Sequence, residues 1–538
     1  MIASVRSVME FNTAGPCIPG KHYMLDPLAR LPEARRLAER GDYFVVYAPR
    51  QSGRTTMLES LARALNATGD YAAVRFSCET AAMAEDRRRS QGLILASVRN
   101  AAEDCGLPTD CLPPAKDDAE PSSLLVGDAF TEWAATSSRP LVLLFDEIDC
   151  LPWPRLADVL AQLRCGAMST PTPFPHSVAL CGMQNVHDLE NTHSDPRMGT
   201  PVPYDISVTT LRLGDFTLDE VAELYAQHTE ETGQVFEATA VQRVFEVTQG
   251  QPWMVNALAR DIIEVMCVPA SQPITEELVD RAVERLIQNN PAHLAHLMAH
   301  LPEPRTRRVI EPLLKGTLKA TDDLAQCDDV TYYEAVSFVR ALGLAPQEPP
   351  LRISNPIYQE AITRTLSRSL QHALLIEPRA LLLPDGRLDV GKLLDGFLAF
   401  WEDHPETLDK RRHYREAACH LAFIGFLQRV LDGDGLIGGE YGLCMGGLDL
   451  ALRRPYTDEQ GRRAIQRAAF ELRVHRSDAD YPNPYSLDQL DGYLDSLGLD
   501  TGTLIVFDRR KSAPPVAERT TVESVESTAG RKITLVRA

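Results

Sequence analysis

Residues 48–56 read Ala48-Pro49-Arg50-Gln51-Ser52-Gly53-Arg54-Thr55-Thr56, and no other stretch restricts the fold as tightly. A strand that ends in a glycine-containing loop and opens into a helix turns backbone N–H groups and a helix N-terminus toward one anion. The phosphate-binding pattern G-x-x-x-x-G-K-[ST] has this form, with lysine on the β/γ-phosphates and a hydroxyl on Mg2+. Gly53 and Thr55 keep their places, Ala48 stands at the first glycine, and Arg54 takes the position of the lysine. The flanks agree: Tyr43-Phe-Val-Val-Tyr47 reads as a buried strand and Met57 to Leu65 has helical spacing. A bound nucleotide is expected. Turnover is a separate matter, because a planar guanidinium is not a compact ammonium.

A second motif follows in the order such a site requires. Pro140-Leu-Val-Leu-Leu-Phe145 predicts another buried strand and ends in Asp146-Glu147-Ile148-Asp149. An acid at the C-terminal end of a strand beside a phosphate loop holds Mg2+, and a following glutamate orients and deprotonates the attacking water. Asp146 is the candidate metal ligand, with Thr55, and Glu147 the candidate base; Asp149 is expected only to orient its neighbours. His176 to Met183 predicts the next strand, with Gln184 or Asn185 placed to sense the γ-phosphate. Arg164 and Arg197 lie where an arginine finger is sought, although an arginine there is more often a surface charge.

Together with Thr248-Gln-Gly-Gln-Pro-Trp-Met-Val-Asn-Ala257, these motifs resemble the AAA-like ATPases related to origin-recognition and STAND-type NTPases, over roughly residues 10–290. The resemblance implies ATP and Mg2+ as cofactors, and homo-oligomers as an expected assembly. It also implies nucleotide contact by a glycine-x-proline element of a helical lid, matched by Gly250 and Pro252. Thr217 and Glu220 form a capping-box pattern at the start of that lid.

The 538 residues suffice for about three domains, and 44% hydrophobic with 24% charged residues is a globular composition. No apolar run approaches a membrane span, and the first residues lack the apolar core of a signal peptide. Eleven scattered cysteines without a Cys-x-x-Cys pair read as reduced packing thiols, so a cytoplasmic protein is expected. A net charge of −20 disfavours non-specific nucleic-acid binding, so any DNA or RNA partner needs a local basic face.

The expected fold class is α/β: a P-loop NTPase parallel sheet with a helical lid, a winged-helix module and a restriction-endonuclease-like α/β domain. The boundaries expected are 1–30 for an N-terminal segment, 31–215 for the ATPase core and 216–295 for the lid. Residues 296–370 follow as the winged-helix-like module, with Leu351-Arg-Ile-Ser354 as its wing, then 371–389 as a connector and 390–538 as the last domain.

In that last domain a long helix from Tyr414 to Leu431 precedes three strand-like runs, a helix and the strand Thr501 to Phe507. Over 390–538 this resembles the PD-(D/E)XK nuclease superfamily. The resemblance implies Asp449 and Glu471 as ligands for Mg2+ or Mn2+, Glu416 as a further helix carboxylate, and Gln489 with Tyr493 as a Q-x-x-x-Y element. It places Arg473 at the lysine position. Glu147, Asp449, Glu471 and Arg473 are thus the candidate catalytic residues. Two readings follow: an ATP-controlled metal-dependent nuclease of defence or mobile-element biology, or a catalytically weak switch that binds nucleic acid or a protein partner without cleaving.

Overall fold

The computed structural model describes residues 8–114, 126–169, 171–183, 209–315, 330–371, 378–403, 418–432, 442–446, 449–458, 461–475, 484–508, 510 and 513–538. The chain divides into two compact units. The first is Met1–Gly233 with Gly250–Arg260 and Arg340–Gly343, and the second is Gln234–Gln249, Asp261–Val339 and Leu344–Ala538.

The first unit is built on five parallel strands, β1 (Tyr43–Tyr47), β2 (Ala72–Ser77), β3 (Leu141–Asp146), β4 (Ser177–Gly182) and β5 (Thr209–Arg212), in the order β2-β3-β4-β1-β5. Alternation along each strand divides the core between the two faces. Tyr43, Val45, Val74, Phe76, Leu143 and Phe145 pack on one side. Phe44, Val46, Ala73, Val142, Leu144 and Cys181 pack on the other. A sheet covered on both faces is what near-continuous apolar strands require. Helix α1 (Arg54–Thr68) follows β1 directly and buries Met57, Leu58, Leu61 and Leu65 on the second face.

Two lid helices belong to the same unit. Helix α2 (Leu218–Thr232) opens with the expected capping box: Thr217 Oγ1 accepts the Glu220 N–H and Glu220 Oε2 accepts the Thr217 N–H at 2.8 Å. Helix α3 (Pro252–Arg260) is tied to α2 by the Tyr225 hydroxyl, which donates to the Val255 carbonyl at 2.7 Å.

The second unit carries a six-stranded mixed sheet: β6 (Gly442–Gly446), β7 (Asp449–Thr457), β8 (Arg463–His475), β9 (Thr501–Asp508), β10 (Thr521–Glu526) and β11 (Lys532–Arg537), ordered β10-β11-β9-β8-β7-β6. Strands β6, β7 and β8 form an antiparallel meander. Strand β9 then runs parallel to β8, the connection that needs a crossover element. Helix α4 (Ala418–Asp432) packs Phe423 and Phe426 with Phe470 and Phe507 on one face. Helix α5 (Pro484–Leu497), the crossover between β8 and β9, sets Leu490 and Leu494 against Leu504 and Val506 on the other.

Among the described residues, three helices form where the winged-helix module was expected, Pro304–Lys315, Val330–Ala341 and Pro356–Gln371, but Leu351–Ser354 is not a strand. Pro346, Pro349 and Pro350 lead into that stretch, and a residue without an N–H cannot feed a β-ladder.

Candidate functional site

The loop after β1 is already shaped for an anion. Gln51 and Gly53 are both in the left-handed region, with φ 63° and 92°, so successive N–H groups can turn to one side. Ser52 is buried and its Oγ donates to the Pro49 carbonyl at 2.7 Å. Ala48 is buried beside β4, its N–H donating to the Gly182 carbonyl at 3.2 Å. Arg50 is exposed at the turn. Gly53 is the N-cap of α1, and no side chain caps it, so the first N–H groups of the helix remain for a ligand.

Below the loop the two predicted metal residues meet. Thr55 Oγ1 donates to Asp146 Oδ2 at 2.8 Å. Asp146 is fully buried, and its other oxygen, Oδ1, accepts nothing. An orphaned carboxylate oxygen beside a hydroxyl is a donor set that fits Mg2+. Glu147 follows at φ 58°, and its Oε2 accepts from the Ser77 hydroxyl at 2.6 Å. Register explains the pair, since Ser77 of β2 lies opposite Asp146 of β3. Arg75, two residues earlier on the same face, donates to Asp146 Oδ2 from Nε at 3.1 Å and from Nη2 at 2.5 Å. Asp149 Oδ2 accepts the Met183 N–H at 2.7 Å.

Arg54, at the lysine position, is half-buried, and its Nη1 is a buried donor with no partner. An unsatisfied guanidinium nitrogen at the mouth of a phosphate loop suits an anion. Burial pushes the Cys181 thiol up, which leaves that residue a packing group.

Beside the loop lies a partly open pocket. One wall is the segment from Asn12 to Pro27, one the loop and α1 through Gly53 and Met57, and one the lid through Phe216, Pro252, Trp253 and Asn256. The N-terminal segment is strapped in place at several points. Trp253 Nε1 donates to the Thr13 carbonyl at 2.9 Å, and the Cys17 N–H donates to Thr56 Oγ1 at 3.0 Å. The Tyr23 hydroxyl donates to Glu231 Oε2 at 2.6 Å, so burial and that carboxylate together push the phenol up.

The lid element is seated on the loop itself. Gln251 Nε2 donates to the Gln51 carbonyl at 3.3 Å. Gly250, at φ 77°, lies so close to the Phe216 carbonyl that a Cβ has no room there. Asn256 Nδ2 donates to the Pro252 carbonyl at 2.8 Å, and this bond fixes the amide so that the buried, unpartnered Oδ1 is left as an acceptor.

Sequence reasoning missed Arg75, Ser77, the strap and Asn256. Only Asn256 carried a signal, one turn after Pro252 on a helix. Gln184, Asn185 and Arg197 lie outside the described residues. Arg164 is half-buried on the helix Trp153–Met168.

In the second unit Asp449 and Glu471 are register partners, directly opposite on β7 and β8. Glu471 is fully buried; the Arg473 guanidinium contacts its carboxylate as an ion pair, yet neither oxygen accepts a hydrogen bond of ordinary geometry. Gln489 and Tyr493 lie one turn apart on α5, and Glu416 lies outside the described residues. Among the described residues no group of three His, Cys, Asp or Glu side chains converges as a metal site. Among them, too, no helix is long and apolar enough to cross a membrane.

No protein-family model matches the chain, and no curated protein does. Among solved structures it is similar to the Walker-type ATPase PABY2304 of Pyrococcus abyssi, at 14% identity and a TM-score of 0.46, over 65% of this chain and 99% of that one. It is also similar to the ORC2 protein of Aeropyrum pernix in its ADPNP–ADP complexes, at 14% identity and 0.36, over 64% and 93%. The RuvB Holliday junction branch migration motor of Thermotoga maritima matches at 15% and 0.32, over 62% and 93%. Overlaps this loose add no argument of their own. The P-loop NTPase fold rests on the parallel sheet, its strand order, and the loop and acid at the carboxyl ends of β1 and β3.

Proposed function

We propose that the chain is an ATP-binding P-loop protein of the AAA-like, origin-recognition-related type, and that its nucleotide state controls a C-terminal metal-dependent nuclease-like domain. The observation that carries the nucleotide reading is the joining of loop, acid and cavity in one unit. Thr55 donates to Asp146 under a loop whose lip opens on a largely apolar pocket, with Asn256 Oδ1 as a lone buried acceptor. An acceptor in that place favours a base edge that donates, such as the adenine amine, and disfavours a 6-oxo group.

The roles follow from geometry. The N–H groups of the loop and α1 hold the phosphates, and the Arg54 fork binds them as a delocalised cation. Thr55 and Asp146 would hold Mg2+, which on binding neutralises phosphate charge. Glu147 positions and deprotonates the attacking water, with Ser77 holding the carboxylate until it is needed. Asp449 and Glu471 would hold Mg2+ or Mn2+ in the second unit, on strands adjacent in register.

Arg54 and Arg473 support the second reading, a switch that binds ATP, hydrolyses it weakly and uses the C-terminal domain for recognition of nucleic acid or protein. The Arg473 guanidinium against Glu471 already fills part of the coordination space a metal would take. ATP hydrolysis and metal-dependent cleavage separate the readings. Slow wild-type hydrolysis that rises in Arg54→Lys and stops in Glu147→Gln is expected. Cleavage of DNA or RNA with Mn2+ or Mg2+, lost in Asp449→Ala, supports the nuclease; no cleavage of any form, with or without ATP, removes it and leaves the switch. Fast hydrolysis indifferent to Arg54→Lys removes the switch.

A further inference from the structure

Arg75 has no part in the phosphate-loop pattern, yet it makes the closest contact in the site. Its guanidinium grips Asp146 Oδ2 from two nitrogens, at 3.1 and 2.5 Å, and Nη1 stands 4.0 Å from Glu59 Oε1 on α1. Asp146 is fully buried, so it is the main negative charge available to a metal beside Thr55, and Arg75 has already compensated it. A dication arriving at Asp146 Oδ1 meets a carboxylate whose charge is spent and a fixed positive group on the adjacent oxygen. Arg54, with an unpartnered buried Nη1, adds a second guanidinium beside the loop that is free to meet phosphate.

We infer that Arg75 is a specificity-determining residue that makes nucleotide binding at this loop largely independent of Mg2+, by competing with the ion for Asp146 and standing in for part of its charge. The inference rests on the proposed nucleotide reading and concerns binding alone.

The test is calorimetric titration of the full chain with ATP, once with excess EDTA and once with excess Mg2+. Mn2+ binding to the chain is read alongside by electron paramagnetic resonance. Wild-type affinity is expected to differ by less than about threefold between the two conditions, and Mn2+ to bind weakly. Arg75→Gln, which keeps a donor to Asp146 but no charge, is expected to bind ATP at least about tenfold more tightly with Mg2+ than with EDTA and to bind Mn2+ more tightly. Arg75→Lys keeps a positive charge beside Asp146 and is expected to show less Mg2+ dependence than Arg75→Gln. Wild-type binding that depends on Mg2+ as strongly as that of Arg75→Gln overturns the inference and leaves the nucleotide reading standing. Absence of ATP binding by every protein in both conditions removes the nucleotide reading, and the inference falls with it. If Arg75→Gln does not fold, the wild-type pair of titrations decides: a tenfold gain from Mg2+ overturns the inference.

Discussion

At the scale of single residues, the site is a set of groups whose partners are dictated by the backbone beneath them. Gly250 is the clearest case, because a left-handed φ of 77° and a carbonyl against the Cα combine in one position. Gly250→Ala is expected to lower stability by about 2 kcal/mol, through strain and a displaced lid turn. Denaturant titration checks the loss, and ATP titration of the remaining folded protein is expected to show weaker binding. Thr55, Asp146 and Glu147 were legible from sequence because each sits at the end of a strongly apolar strand or the start of a helix. Arg75 and Ser77 were not. Their roles come from the register of β2 on β3, and nothing in the local sequence states which strand will lie alongside.

Among elements, the order strand, loop, helix around residues 43–68 and the meander, helix, strand around 442–508 were both readable from periodicity and turn residues. The wing at Leu351–Ser354 was not, since the apolar alternation there ignored the prolines that precede it. The strap from Asn12 to Tyr23 was unreadable for another reason. Several of its contacts use backbone groups, the Thr13 carbonyl and the Cys17 N–H, and any residue offers those.

The C-terminal end of β9 yields a pH prediction. Arg510, bonded to both oxygens of Asp508 at 3.0 and 2.7 Å, outweighs partial burial and holds that carboxyl below the usual carboxylate range. A carboxyl depressed by folding contributes stability above its unfolded pKa of about 3.9, and that contribution is lost as pH falls through its folded value. Asp508→Asn is therefore expected to cost roughly 1 kcal/mol at neutral pH. The gap to wild type should close below the usual carboxylate range, as measured by denaturant midpoints across an acid series.

For the whole molecule the governing quantity is charge. A net −20 opposes a polyanion at long range, so any nucleic-acid contact requires a concentrated local basic face. Random-sequence duplex DNA is expected to show no retention in filter binding at physiological salt up to roughly micromolar protein. Strong retention would reveal a basic face that the composition conceals. The same acidity separates binding from cleavage in the proposed nuclease: a substrate held weakly must be presented by the nucleotide-dependent step or by a partner, which ties the two halves of the proposal together.

The strap that walls the cavity also has a kinetic consequence. It is held on the lid by hydrogen bonds from Trp253 and Arg260 to Thr13 and from Tyr23 to Glu231, and by Phe11 and Tyr23 buried against Tyr225 and His228. A segment outside both sheets can still open locally while the sheets stay folded. On the proposed nucleotide reading, a base in that pocket is released when the strap opens locally, so its residence time follows that opening. Mild denaturant is then expected to hasten release of bound ATP before either sheet melts, with exchange timed by the segment from Asn12 to Tyr23.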